Sequence, residues 1–397
     1  MNMIEFLQNQ VVFSGVLTAG ILVAILTAVA YCIYFERKIS AWIQDRCGPN
    51  RVGPFGLLQP LADGAKFLLK EDIIPRHVDK PLFLLAPAIS FILAMIGFAV
   101  IPWGGQVMIG DKLMNVQIAD PGIGILYVLG VGSMGVYGIV LGGWASNNKY
   151  STYGGVRATA QMLSYEIPMG IAILVVVLTC GEIRLERILT SQFSDGGLWF
   201  ILLHPLAFLI LLVTIFAETN RAPFDLAEAE QELVGGFHTE YSAMKFAMFF
   251  LAEYAHMITG SAVICVLFLG GWHLPFVPGL QADDTGVWAM LFKLAVFGVK
   301  IAAFIFIFMW VRWTLPRFRF DQLMRLAWKG LIPMSLGVLL VAIIGLHYGW
   351  HDKIWFTLPG NVIVALIALW IAARSGEPLT GRQPGMAQMA NTVGAGA

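Results

Sequence analysis

The chain has 397 residues, is 58 % hydrophobic and only 13 % charged, and carries 25 Lys/Arg against 25 Asp/Glu, with a mean hydropathy of +0.75. So apolar a composition lies outside the range of soluble globular domains. The zero net charge removes the usual reason to expect nucleic acid. The four cysteines, Cys32, Cys47, Cys180 and Cys265, form no CxxC pair, so no iron–sulfur, zinc or disulfide framework is legible. Any redox chemistry therefore has to borrow its cofactors from another chain.

In chain order, nine apolar stretches reach the roughly 20 helical residues needed to cross a hydrocarbon core: 11–35, 81–102, 121–146, 158–180, 198–217, 241–270, 287–312, 330–349 and 353–373. The N-terminus has neither the basic flank nor the small-residue cleavage site of a signal peptide, so the first stretch is expected to be retained as a span. Backbone polar groups in lipid have to bond within helices, which predicts an all-α polytopic membrane bundle. Eight spans make its core over residues 1–350. A ninth transmembrane helix follows at 351–373, and 374–397, rich in Gly, Ala, Pro and Gln, reads as a disordered tail.

Between the first two spans lies LLQPLADGAKFLLK, residues 57–70. Gln59, Asp63, Lys66 and Lys70 recur there at helical spacing among leucines, and the segment is too short to span. It reads as an amphipathic helix at the membrane surface. GVGSMG at 130–135 matches a dinucleotide fingerprint, but a fingerprint needs a strand before it and a soluble βαβ unit around it. Inside a span its small residues are expected to let helices approach closely. His347 and His351 are four apart but lack further ligands, and are not read as a metal site.

Orientation follows from the basic residues. With the N-terminus outside, the inside segments hold 19 Lys/Arg, the outside segments 4, and Lys293 and Lys300 fall within the seventh span. That bias satisfies the positive-inside rule. One inside loop defies it. AETNRAPFDLAEAEQELVGGFHTEYS, residues 217–242, carries six carboxylates (Glu218, Asp225, Glu228, Glu230, Glu232 and Glu240) against Arg221.

These acids continue into the membrane. Glu166 is expected roughly 12 Å along the fourth span and Glu253 roughly 18 Å along the sixth, both counted from the inner side. Charge at such depth costs at least ~2.5–3.5 kcal/mol, which makes it a functional signal. His256 can share a face with Glu253, as Lys293 can with Lys300. Burial favours the neutral form of a carboxyl group, so a series of buried acids can hold and release protons near neutral pH. Three readings remain open on residue pattern alone. One is a proton path, the second is a set of Glu–Lys pairs binding a structural anchor together, and the third is a stand-alone proton-coupled secondary transporter, which would be expected to carry inverted repeats.

Four long motifs narrow the choice. ERKISAWIQDRCGPNRVGPFGLLQPLADGAKFLLKED, RATAQMLSYEIPMG, AETNRAPFDLAEAEQELVGGFHTEYSAMKFAMFFLAEY and RWTLPRFRFDQLMRLAWK resemble the H-type membrane subunit of respiratory complex I, the NADH-quinone oxidoreductase, counterpart of mitochondrial NADH dehydrogenase subunit 1. The resemblance implies a protein at the joint of the peripheral and membrane arms of a proton-pumping enzyme in a bacterial cytoplasmic membrane. Its substrate would be a quinone, and it would hold no metal, flavin or iron–sulfur cluster of its own. Its partners would be the peripheral quinone-site and iron–sulfur subunits and the neighbouring small and antiporter-like membrane subunits.

By motif position, the resemblance places Arg37, Trp42, Arg46, Asp63, Lys66 and Phe224 along a quinone tunnel. It places Glu166, Glu218, Glu228, Glu230 and Glu253 in an acidic proton channel, and Arg221, Asp225 and Glu240 in a loop coupling the two. Glu36 also matches a family acid. Cys47 stands where relatives often carry a basic residue.

Overall fold

A computed structural model describes residues 10–193, 198–227, 230–274 and 285–374; the tail expected at 374–397 otherwise lies outside these. Among the described residues, eight helices are long and apolar enough to cross a membrane, and a shorter apolar helix joins them. The chain is an all-α membrane bundle.

Helix α1, Gln10–Ile43, has 34 residues, roughly 51 Å at 1.5 Å per residue, so it outruns a hydrocarbon core of about 30 Å. Its last turns carry Glu36 and Arg37 past the apolar zone. The chain then reverses through 44–58. Gly56, at φ 82°, lies against the backbone of Pro49 and Asn50, where a Cβ has no room. The Tyr34 hydroxyl donates to the Phe55 carbonyl at 2.7 Å. Helix α2, Gln59–Leu69, starts with a proline in its first turn and buries no residue. Leu61, Leu68 and Leu69 are exposed, as the surface-helix reading expects.

Helix α3, Lys80–Ile96, leads to an antiparallel hairpin, β1 (Gln106–Ile109) and β2 (Lys112–Asn115). Its two-residue turn opens on Gly110 at φ 62°. Helix α4 spans Gly124–Ala145 and α5 spans Lys149–Cys180. The latter begins nine residues before the expected 158 because Asn148 caps it, accepting the Tyr150 amide at 3.0 Å. Glu166 therefore lies roughly 26 Å along its helix, not 12. A short α6, Leu185–Ser191, follows.

The expected fifth span divides. Helix α7, Phe200–Leu203, ends at His204, and Pro205 opens α8, Pro205–Glu218. Proline lacks the amide that would continue the ladder. At 14 residues, α8 is roughly 21 Å long. The remaining elements are α9 (Glu230–Leu233), α10 (Ala243–Phe268), α11 (Val287–Thr314), α12 (Phe320–Arg325), α13 (Ile332–Tyr348) and α14 (Ile354–Arg374). A π-helical turn at 326–331 joins α12 to α13.

Helix α10 is the axis of the bundle. It packs against α1, α3, α8 and α11 and carries an unbroken run of buried residues from Ser261 to Phe268. Aromatic pairs lock its surroundings: Phe216 on α8 stacks on Phe308 of α11 at 4.0 Å, and Phe83 on α3 stacks on Tyr241 at 4.1 Å.

Candidate functional site

The acidic loop does not project into solvent; it folds against the bundle. Gln161 on α5 holds it by donating from Nε2 to the carbonyls of Ala217 and Phe224, each at 2.8 Å. Phe224 is buried between Tyr165 at 5.6 Å and Phe318 at 5.5 Å. Asp225 accepts from Arg317 at 2.9 Å, and the Phe318 amide donates to the Pro223 carbonyl at 3.2 Å. Further on, Glu232 pairs with Arg157 at 2.6 Å and Glu240 accepts from Asn148 at 2.7 Å. Glu228 lies outside the described residues, and so does the side chain of Glu230, whose backbone starts α9.

Glu36, buried near the C-terminal end of α1, is the centre of a charged knot. Arg221 reaches it at 3.3 Å, Arg312 from α11 pairs with it, and the Tyr254 hydroxyl donates to it at 2.7 Å. The Arg221 guanidinium also lies 4.0 Å from the Tyr254 ring centroid, a cation–π contact. Loop, first span, α10 and α11 thus meet on one carboxylate. The motifs alone give Glu36 no role, and they do not single out Arg312, Tyr254 or Gln161. Their only sequence signal is a polar residue close to an apolar run.

Glu166, Glu218 and Glu253 come together. Three small adjoining cavities, about 10, 30 and 50 Å³, all border Glu218. Glu166 lines the first, with Ser133 bonded to it. Glu253 and His256 line the second, and His256 also lines the third. The glycines of GVGSMG make the room: a Cβ on Gly132 would stand 2.8 Å from Glu218 Oε1, and one on Gly135 would stand 3.5 Å from His256 Nε2. The small residues are expected to let helices approach closely; here a carboxylate and an imidazole take the space instead, and a Cβ on Gly130 meets nothing within 4 Å.

The two lysines of α11 make contacts elsewhere in the bundle. Lys300 Nζ donates to the carbonyls of Leu269 and His273 at 2.7 Å each and sits over Trp199. Lys293 lies 4.5 Å from the Trp272 ring.

Of the expected tunnel residues, Arg37 and Asp63 are directly joined at 2.7 Å, with Gln59 donating to Asp63 at 3.1 Å. Trp42, Arg46 and Lys66, in or next to the same two helices, are exposed. None of the six lines the large cavity of the molecule. That cavity, about 820 Å³, runs between α1 and α11 from Phe13 and Trp103 to Phe35 and Ile39, and its walls are almost wholly apolar. At one end its walls are Phe35 and Ile39, which flank Glu36 and Arg37 in the sequence. Its walls escape sequence reading because a Leu or Ile facing a cavity is indistinguishable from one facing lipid.

Among the described residues, no group of three or more His, Cys, Asp or Glu side chains could hold a metal ion.

Residues 16–343 match the family described as NADH dehydrogenase. The chain is 49 % identical over 334 residues to the NADH-quinone oxidoreductase H subunit 1 of Cytophaga hutchinsonii, covering 84 % of this chain and 95 % of that one. It is 50 % identical over 349 residues to the corresponding H subunit of Leptospira biflexa, covering 85 % and 96 %. With that of Protochlamydia amoebophila the identity is 52 % over 310 residues, covering 78 % and 90 %.

Proposed function

The chain belongs to the NADH dehydrogenase family, as an H-type membrane subunit of NADH-quinone oxidoreductase, and from that premise we propose that it guides the quinone with one half of its bundle and protons with the other. The apolar cavity between α1 and α11 takes the isoprenoid tail. The head group passes the rim of Arg37, Trp42, Arg46, Asp63 and Lys66 toward peripheral subunits that supply the electrons. Phe224 stiffens the wall behind that rim. Reduction adds negative charge to the quinone, and ionisable groups at the inner end of an apolar corridor meet that charge where it develops.

Glu218, shared by three cavities, is the observation that carries the proton half of the proposal. A cavity of 10–15 Å³ or more can admit a water, so the two larger spaces are wide enough for water to bridge acids. Glu166, Glu218 and Glu253 then relay protons, and Glu228 and Glu230 of the same loop feed that path. Arg221, Asp225 and Glu240 tie the loop to the bundle and let quinone occupancy reach the acids through Glu36. The chain works in a bacterial cytoplasmic membrane with its N-terminus outside, beside the quinone-site, iron–sulfur and antiporter-like subunits of the complex.

A quinone bearing a photoreactive group in its tail tests the tunnel. Cross-links to α1 and α11, at residues such as Ile21 and Ala302, are expected in the purified complex. Cross-links confined to other helices would overturn this path.

A further inference from the structure

Helix α14 lies beyond residues 16–343, the part that matches the family, and a lipid anchor at that position needs only an apolar surface. Yet α14 carries Thr357 and Asn361, which are 0 % and 1 % exposed. Burying such groups costs free energy unless they bond. Asn361 uses its amide at the break between α7 and α8. Nδ2 donates to the Leu203 carbonyl at 3.3 Å and to the Thr357 carbonyl at 2.7 Å. His204, fully buried at the break, meets Thr179 of α5 at 3.0 Å. Non-helical backbone at membrane depth persists only where neighbouring protein satisfies it, and α14 packs on both α7 and α8. Close approach is built in on its other side, where a Cβ on Gly360 would stand 2.6 Å from Val341 of α13.

We propose that α14 braces the interrupted helix, with Asn361 as a positioning residue. By holding the Leu203 carbonyl it fixes where α8 starts, and hence the height at which the last residue of α8, Glu218, enters the acidic cavities. Helix α8 is short and held by its stacking on α11, so a shift at Pro205 is carried to Glu218. This rests on the reading of Glu218 as a proton-carrying group.

The test uses the purified complex with Asn361→Leu, which keeps the branched outline of the side chain and removes the donor, and Asn361→Gln, which restores an amide. Deuterium uptake over 199–210 is expected to rise roughly fivefold in the leucine variant, as loss of one hydrogen bond implies. The protons pumped per electron fall while the quinone KM stays, and Asn361→Gln recovers both. Asn361→Ala gives the same readings if the leucine variant does not assemble. Unchanged uptake overturns the brace. Raised uptake with an unchanged proton ratio, where Glu218→Gln does lower that ratio, overturns the positioning role. If neither Asn361→Leu nor Glu218→Gln alters the ratio, the proton-channel reading is what fails.

Discussion

Arg221 Nη1 stands 3.3 Å from Glu36 Oε2, so the cation at the head of the acidic loop reaches across to the first span. The loop's position becomes tied to the helix that walls the apolar cavity. On the proposed function, quinone access and proton handling meet in that one ion pair.

Removing the charge of Glu36 tests the tie. Glu36→Gln leaves Arg221, a buried guanidinium, facing a neutral amide, and breaking a buried pair costs about 3–5 kcal/mol. Arg312, 38 % exposed at its side chain, is better screened and adds little. A lower melting temperature of the purified complex and faster proteolysis within 217–242 are expected. Wild-type values for both would show that the pair does not hold the loop.

Glu166→Gln keeps the shape of the side chain and its contact with Ser133, so the complex assembles and NADH–ferricyanide activity persists. Proton pumping coupled to quinone reduction is expected to be lost. A normal proton-to-electron ratio in proteoliposomes would remove Glu166 from the path.

On the rim, Asp63→Ala unpairs Arg37 and Lys66→Ala takes away a neighbouring exposed cation. Each is expected to lower quinone reductase activity and to leave NADH–ferricyanide activity intact. Equal loss of both activities would indicate failed assembly instead of a tunnel defect.

The cavity can be filled without disturbing its walls. A Cβ on Gly298 meets nothing within 4 Å, and Gly298 lines the cavity, so Gly298→Leu projects into open space. A several-fold rise in KM is expected for a long-tailed quinone, with little change for a short-tailed one. Kinetics of the two substrates in the same membranes decide the matter, and parallel changes would argue against a tail-binding corridor.

Much of this architecture is legible in the sequence, for identifiable reasons. The spans announce themselves by length, and α2 by the spacing of Gln59, Asp63, Lys66 and Lys70. Glu166 and Glu253 stand out because a carboxylate in an apolar run needs a reason. The interruption at His204–Pro205 is hidden by apolar residues on both sides, although Pro205 is a visible mark. The hairpin at 106–115 escapes notice because four-residue strands carry little periodicity; its Gly110–Asp111 turn is the available sign. The knot on Glu36 is beyond sequence reading, since its partners lie 185 to 276 residues away in the chain.

The glycines of α4 set a narrow tolerance. At Gly132 the distance between a missing methyl group and the Glu218 carboxylate is 2.8 Å, tighter than any van der Waals contact, so one added carbon moves the acid or closes the gap. On the proposed function, the space left to Glu218 is set by a glycine hydrogen on a neighbouring helix. If Glu218 carries protons as proposed, alanine or serine at 132 would tune proton flow without replacing an ionisable group.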